Sequence, residues 1–269
     1  MQGNGRQVLV TRYRLTLEYD GTDFAGFQLQ GKGERTVQGA LESVLARLTG
    51  EQIGPRVHGA GRTDAGVHAL GQVAHFDSAW PVPVGRMARV LNGALPDDLR
   101  VRDARIAEPE GFHARFDATG RTYRYVILNR EAPSALLGRF ALHVRDPLDV
   151  EAMGAAAGRL VGAHDFAAFG RPDAPGKSTV RRVTRLDVRR RRDCILITVE
   201  GNAFLRQMVR SFVGTLLAVG RGQITPGGVS DILRSRDRAA CPPVATARGL
   251  CLVRVRYDGT RFESESEDD

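Results

Sequence analysis

Residues 13–19 alternate strictly, with Tyr13, Leu15, Leu17 and Tyr19 on one side and Arg14, Thr16 and Glu18 on the other. Such a period of two predicts a half-buried strand, which stops at the turn signal Asp20-Gly21-Thr22. Thr36 is placed to cap a helix that carries Val37, Leu41, Val44, Leu45 and Leu48 on one face and closes at Gly50. A glycine-rich stretch at 59–66 precedes a strand over 71–77, a helix near 86–94 and a strand near 99–106. The rhythm then repeats. Strand 122–129 puts Tyr123, Tyr125 and Ile127 on one face, and a helix near 149–161 uses Val150, Met153 and Leu160. Strands at about 181–190 and 194–200 lead into a strongly apolar helix over about 202–219. A shorter helix with Ile232 and Leu233 and a strand over 250–257 complete the pattern.

Helices and strands alternate within each half, yet hairpin-like neighbours also occur. An α+β fold with a mainly antiparallel sheet is therefore expected rather than a doubly wound one. Two split β-α-β halves account for the rhythm. The expected division is an amino-terminal extension at 1–11, one half at 12–114, a second at 115–258 and an acidic tail at 259–269.

Of the 269 residues, 42% are apolar, which excludes wholesale disorder. The formal charge is +8, and five acids fall in the last seven residues; without them the rest carries +13. A body that basic favours a polyanionic partner, nucleic acid foremost. Cys194, Cys241 and Cys251 suit neither a disulfide framework nor a zinc site and read as core fillers in a reducing compartment. No apolar run nears the roughly 20 residues of a membrane helix, and the start carries no secretion signal. A soluble, cytoplasmic protein without a metal or other cofactor is the expectation.

Four segments could carry chemistry. In Gly59-Ala60-Gly61-Arg62-Thr63-Asp64-Ala65-Gly66-Val67-His68, a lone carboxylate sits between an arginine and a histidine. Either Asp64 caps a tight turn, or it is a nucleophile on a loop with Arg62 reaching a ligand. The second segment, 203–214, presents Phe204, Met208, Val209, Phe212 and Val213 as an apolar stripe, with Arg206 and Arg210 four apart on one helical face. Either both arginines snorkel to solvent, or one is buried against an acid, for which Asp64 is the candidate. In the third, Phe112-His113-Ala114-Arg115-Phe116 leading into Gly120-Arg121-Thr122-Tyr123-Arg124-Tyr125, basic and aromatic residues interleave, as suits phosphate contact and base stacking; an ordinary edge strand is the alternative. The fourth is the run Arg181-Arg182, Arg185 and Arg189 to Arg192, too concentrated for an average solvated face and expected to contact phosphates, with Lys177 beside it. No Walker loop, dinucleotide fingerprint, hydrolase triad or metal-ligand spacing is present.

Taken together and in order, several segments resemble the tRNA pseudouridine synthase A family. Tyr19-Asp20-Gly21-Thr22-Asp23-Phe24-Ala25-Gly26-Phe27-Gln28 is similar to its first motif, with Phe27 where the family usually has Trp. Arg62-Thr63-Asp64-Ala65-Gly66-Val67-His68-Ala69 resembles its catalytic motif. Arg121-Thr122-Tyr123-Arg124-Tyr125, Met208-Val209-Arg210 with Gly214, and Gly249-Leu250-Cys251-Leu252-Val253 resemble three later ones. The resemblance implies two tandem ferredoxin-like halves with joined sheets and a basic cleft between them. It further implies a homodimeric, cofactor-independent isomerase acting on uridines 38 to 40 of the tRNA anticodon stem–loop. On that footing Asp64 is the catalytic carboxylate, Arg62 the side chain that fills the space of a flipped base, Arg210 the counter-ion and Tyr123 the stacking ring with a late proton-transfer role. Leu250 or Leu252 would wall the pocket. Phe112, His113, Ala114, Arg115, Phe116, Lys177, Arg181 and Arg182 are the expected RNA contacts. The rivals are a non-catalytic RNA-binding module using the same cleft and a paired-carboxylate hydrolase, which would need Asp20 or Asp77 beside Asp64.

Overall fold

The computed structural model describes residues 10–31, 33–172, 174 and 176–258; residues 1–9 of the expected extension and the acidic tail at 259–269 lie outside them. In β1 (Thr11–Tyr19) the odd positions are buried while the even ones are half-exposed, so the alternation seen in the sequence sets the buried face. Thr36 caps α1 (Val37–Thr49) by accepting the Gly39 N–H at 3.1 Å, and Gly50 ends it with φ +74°. The two-residue β2 (His58–Gly59), the long β3 (His68–Ser78), α2 (Val84–Asn92) and β4 (Leu99–Ile106) follow. Next come β5 (Gly120–Asn129), β6 (Leu142–Val144), α3 (Val150–Gly158), β7 (Gly162–Asp165), β8 (Val180–Arg191) and β9 (Cys194–Gly201). The described chain ends with α4 (Met208–Gly220), α5 (Gly228–Ser235) and β10 (Leu250–Arg256).

Among the described residues all ten strands form one sheet, in the order β4-β1-β3-β10-β5-β9-β8-β7, with β2 beside β3 and β6 beside β5. Every pairing is antiparallel except β10 with β3 and β5 with β6. The last strand is thus inserted at the centre. Leu252 lies opposite Ala69 of β3 on one side and Tyr123 of β5 on the other. A continuous core spans the sheet: Leu15, Leu17 and Phe76 pack with Leu41, Leu45 and Met87, while Ile195, Ile197 and Val199 pack with Met153, Phe212 and Leu216. The mixed α+β, mainly antiparallel architecture agrees with the periodicity.

Three sequence readings are corrected. The apolar helix begins at Met208 rather than near 202, because Gly201 ends β9 and Gln207 adopts a left-handed φ of +63° at the helix start. Arg206 therefore lies outside the helix and shares no helical face with Arg210; its N–H donates to the Arg171 carbonyl at 3.0 Å. The core-filler reading of the cysteines fits Cys241 alone, since Cys194 and Cys251 are only half-buried; all three are free thiols. The short β2, β6 and β7 had no hydrophobic pattern long enough to register.

His75 is buried on β3, stacked on His58 at 5.0 Å and edge-on to His113 at 4.6 Å, with Nδ1 accepting the Ala114 N–H at 3.2 Å. Burial, and next the neighbouring His113, His58 and Arg12, push its pKa down to about 4 from an ordinary value of 6.5. A folded-state pKa below the unfolded one means protonation favours unfolding: the neutral ring's contribution is complete above pH 6.5 and is lost as pH falls toward 4. The melting temperature should accordingly fall across that window, and His75→Gln should flatten the fall. Parallel wild-type and variant curves in a calorimetric pH series would show that His75 does not couple to folding.

Candidate active site

The segment carrying Asp64 is held from both flanks. The Ala60 N–H donates to Val73 of β3 at 2.7 Å, and Gln72 Nε2 donates to the Gly61 carbonyl at 2.9 Å. Tyr19 and Thr63 share a buried hydroxyl–hydroxyl contact of 2.9 Å. The turn after β1 packs on the same loop, with the Phe27 N–H donating to Thr63 and the Gly66 N–H to Phe24. Gly26 makes that approach possible. Its φ is +105°, and a Cβ there would lie 2.7 Å from the Thr63 carbonyl oxygen. His68 closes the loop: its Nδ1 accepts the Gly21 N–H at 3.0 Å and its Nε2 lies 3.0 Å from the Arg139 carbonyl oxygen. The Nε2 also lies 3.1 Å from the Arg248 carbonyl oxygen and Nδ1 3.1 Å from Asp20 Oδ1, so the ring ties the loop to the turn after β1 and to the segment before β10. Phe27, at the position of the motif departure, is buried with its ring against Gly59.

Asp64 is partly exposed (27%), and Arg210 Nη1 donates to its Oδ2 at 3.0 Å. Arg210 is itself oriented by α4 and by its Nε, which donates to the Ala245 carbonyl at 2.7 Å. That carbonyl can come so near because Gly214 lets the 243–245 segment lie against the helix; a Cβ there would be 2.1 Å from the Pro243 oxygen. Of the two readings for this segment, Arg210 meets the acid and Arg206 is exposed.

Both side chains face a cleft of about 840 Å³. Among the described residues its lining holds six arginines (Arg62, Arg115, Arg121, Arg181, Arg206 and Arg210) and one carboxylate, Asp64. Tyr123, Leu250, Phe204 and Gln28 also line it. Leu252, on the same strand as Leu250, is fully buried and does not line the cleft. The Tyr123 ring packs edge-on against Phe204 at 5.3 Å. Burial, opposed by the Arg121 cation and reinforced by the Asp64 charge, pushes its phenol up to about 12, so it is protonated at neutral pH. Arg62 is exposed and makes no ion pair among the described residues.

The other sequence candidates divide. Phe112 and Ala114 are interior, with Phe112 packed on Tyr257 and the Ala114 carbonyl accepting the Tyr257 hydroxyl at 2.7 Å. Their side chains are not available for contact, so the interleaved segment offers His113, Arg115 and the 63%-exposed Phe116. Arg181 lines the cleft and donates to the Ser178 and Val180 carbonyls, while Lys177 and Arg182 are exposed. Asp77 is paired with Arg12, and Asp20 with Arg139; neither lines the cleft, which removes the second acid that a paired-carboxylate hydrolase needs. The pattern reads Phe204 as part of an apolar helical stripe and Arg121 as one of the interleaved basic residues facing phosphate; the structure instead puts Phe204 on the cleft wall and buries Arg121. Arg121 carried a usable signal, because its odd position on β5 aligns it with the inward-facing Tyr123 and Tyr125, and a charge on a core face is rare.

Residues 16–117 and 156–258 match the family described as tRNA pseudouridine synthase. Relatives named tRNA pseudouridine synthase A include one from Brevibacillus brevis, 46% identical over 246 residues that cover 91% of this chain and 99% of the relative. Those from Solidesulfovibrio magneticus (48%; 92% of each chain) and Afipia carboxidovorans (47%; 91% of this chain, 99% of the relative) are similar. Matches of that depth run through the loop of Asp64 and the helix of Arg210 alike, and the chain belongs to the tRNA pseudouridine synthase family.

Proposed function

We propose that the protein converts uridine to pseudouridine at positions 38 to 40 of the tRNA anticodon stem–loop, with Asp64 as the catalytic carboxylate. The observation that carries this reading is the contact of 3.0 Å between Asp64 and Arg210 at the wall of a cleft whose other charges, among the described residues, are all positive. The reaction breaks the C1′–N1 bond, turns the uracil and joins its C5 to C1′; C5 loses a proton and N1 gains one, so no cofactor is needed to balance it. A stacked base is out of reach, and the target nucleotide must first leave the helix. Arg62, solvent-exposed at the rim, supplies a planar guanidinium to occupy the vacated space.

The ionised Asp64 then attacks C1′ or C6, or assists loss of the C2′ proton; each route uses the same anion, held by Arg210. Tyr123 stacks on the uracil from below. Because its phenol stays protonated, it can carry the C5 proton only as a relay, accepting that proton as it passes on its own. Leu250 supplies an apolar wall. The architecture is read as two tandem ferredoxin-like halves, 12–114 and 115–258, meeting at a basic cleft, and the working form as a homodimer in which one tRNA touches both subunits. Contacts along the cleft rim are assigned to His113, Arg115, Phe116, Lys177, Arg181 and Arg182.

Asp64→Asn should abolish tritium release from C5-labelled uridine in tRNA while leaving tRNA affinity within a few-fold, since the arginines remain. Near-native release from that variant would remove Asp64 from the mechanism. Tyr123→Phe should lower kcat more than it weakens binding, because it deletes the relay and keeps the ring; unchanged turnover would leave Tyr123 a stacking role alone. Arg181→Ala should weaken binding and shallow the slope of log affinity against log salt by about one, the value for one lost phosphate contact. A slope equal to wild type in a salt titration would place Arg181 away from the RNA.

A further inference from the structure

We infer that Arg121 is a positioning residue for this reaction, the group that fixes the base-flipping loop relative to Tyr123. Its guanidinium is buried at the floor of the cleft on the same face of β5 as Tyr123, and no carboxylate pairs with it among the described residues. Instead Nη1 donates to the carbonyls of Asn202 (2.6 Å) and Ala118 (3.3 Å), and Nη2 to those of Ala60 (2.9 Å) and Arg115 (3.1 Å). Burial lowers its pKa, as expected of a desolvated cation without an anion.

An apolar side chain of similar length would fill this space without the cost of desolvating a charge. What the arginine adds is geometry. One rigid fork joins four carbonyls on three separate stretches of backbone, around Ala60, Arg115 to Ala118 and Asn202, which the rotating ammonium of a lysine does not reproduce. Ala60 is two residues before Arg62, Arg115 lines the cleft, and Asn202 begins the turn that delivers Phe204 and Arg206 to the wall. Displacement of any of these by an ångström would misplace Arg62 or the Tyr123 ring, an error that can cost about a hundredfold in rate.

The inference rests on the reading of Asp64 and Arg62 given above, and the test separates the two. Full-length Arg121→Met and Arg121→Lys are compared with wild type for melting temperature, tRNA affinity, kcat and the fluorescence rise of 2-aminopurine placed beside the target uridine, which reports unstacking. Arg121→Met should stay folded and bind tRNA within about threefold, yet lose about a hundredfold in kcat and most of the fluorescence rise. Arg121→Lys should recover part of both. The inference fails if Arg121→Met keeps kcat within about threefold, if its kcat falls while the full fluorescence rise is retained, or if the loss merely tracks the folded fraction. Should Arg121→Met not fold, Arg121→Lys decides alone: native kcat with a native fluorescence rise overturns the proposal, and a folded protein defective in both supports it. Asp64→Asn serves as the control, expected to flip the base without making product; product from that variant overturns the reading of the site and leaves the Arg121 result standing.

Discussion

The proposed active centre depends on a single ion pair between residues 146 positions apart in the chain. Asp64 rides on a loop pinned by the first strand and by β3; Arg210 projects from α4, steered by the Ala245 carbonyl. The arginine adds direction, since a charge-assisted bond of 3.0 Å fixes one carboxylate oxygen and leaves the other to the cleft. That arrangement holds only while the loop, the helix and the segment at 243–245 keep register, which accounts for Gly26 and Gly214 at two of the close approaches.

The electrostatic character of the cleft follows from the ratio of its charges. Among the described residues six arginines surround one carboxylate, and they play different parts. Arg210 is neutralised by Asp64, Arg121 is sunk among backbone carbonyls, and Arg62 and Arg206 extend into solvent. A phosphate backbone entering this space meets cations whose positions are already set by the fold. Little ordering remains to be done on binding.

How much of this could be read from the chain depended on whether a feature was local. The alternation in β1 and the cap pair Thr36 and Gly50 are local, and the structure places them where the pattern did. The start of α4 could not be found in this way. Apolar residues continue through Ala203, Phe204 and Leu205, and only the turn after Gly201 and the left-handed Gln207 separate them from the helix. Apolar content alone cannot tell a buried turn from a buried helix. The interleaved segment misled for a related reason. Phe112 and Ala114 alternate with polar residues as a contact surface would, but they alternate because one side of the segment packs on β1, β3 and Tyr257. The junction at Arg121 is only partly local: Arg115 and Ala118 are near it in sequence, but Ala60 and Asn202 lie 61 and 81 residues away, and all four acceptors are backbone atoms, which have no side-chain signature.

The central place of β10 carries a consequence for biosynthesis. Strands β3 and β5 are separated by the strand made last among the ten, so as the polypeptide leaves the ribosome the two middle edges stay without their shared neighbour until residues 250–256 emerge. Leu250 arrives with that strand, and Arg210 needs the segment just before it. Until that strand emerges the arginines of the cleft can be made and exposed, but neither the Leu250 wall nor the Ala245 carbonyl that steers Arg210 is in place. The two middle edges, the wall and the Arg210 anchor are therefore supplied together, by one late segment.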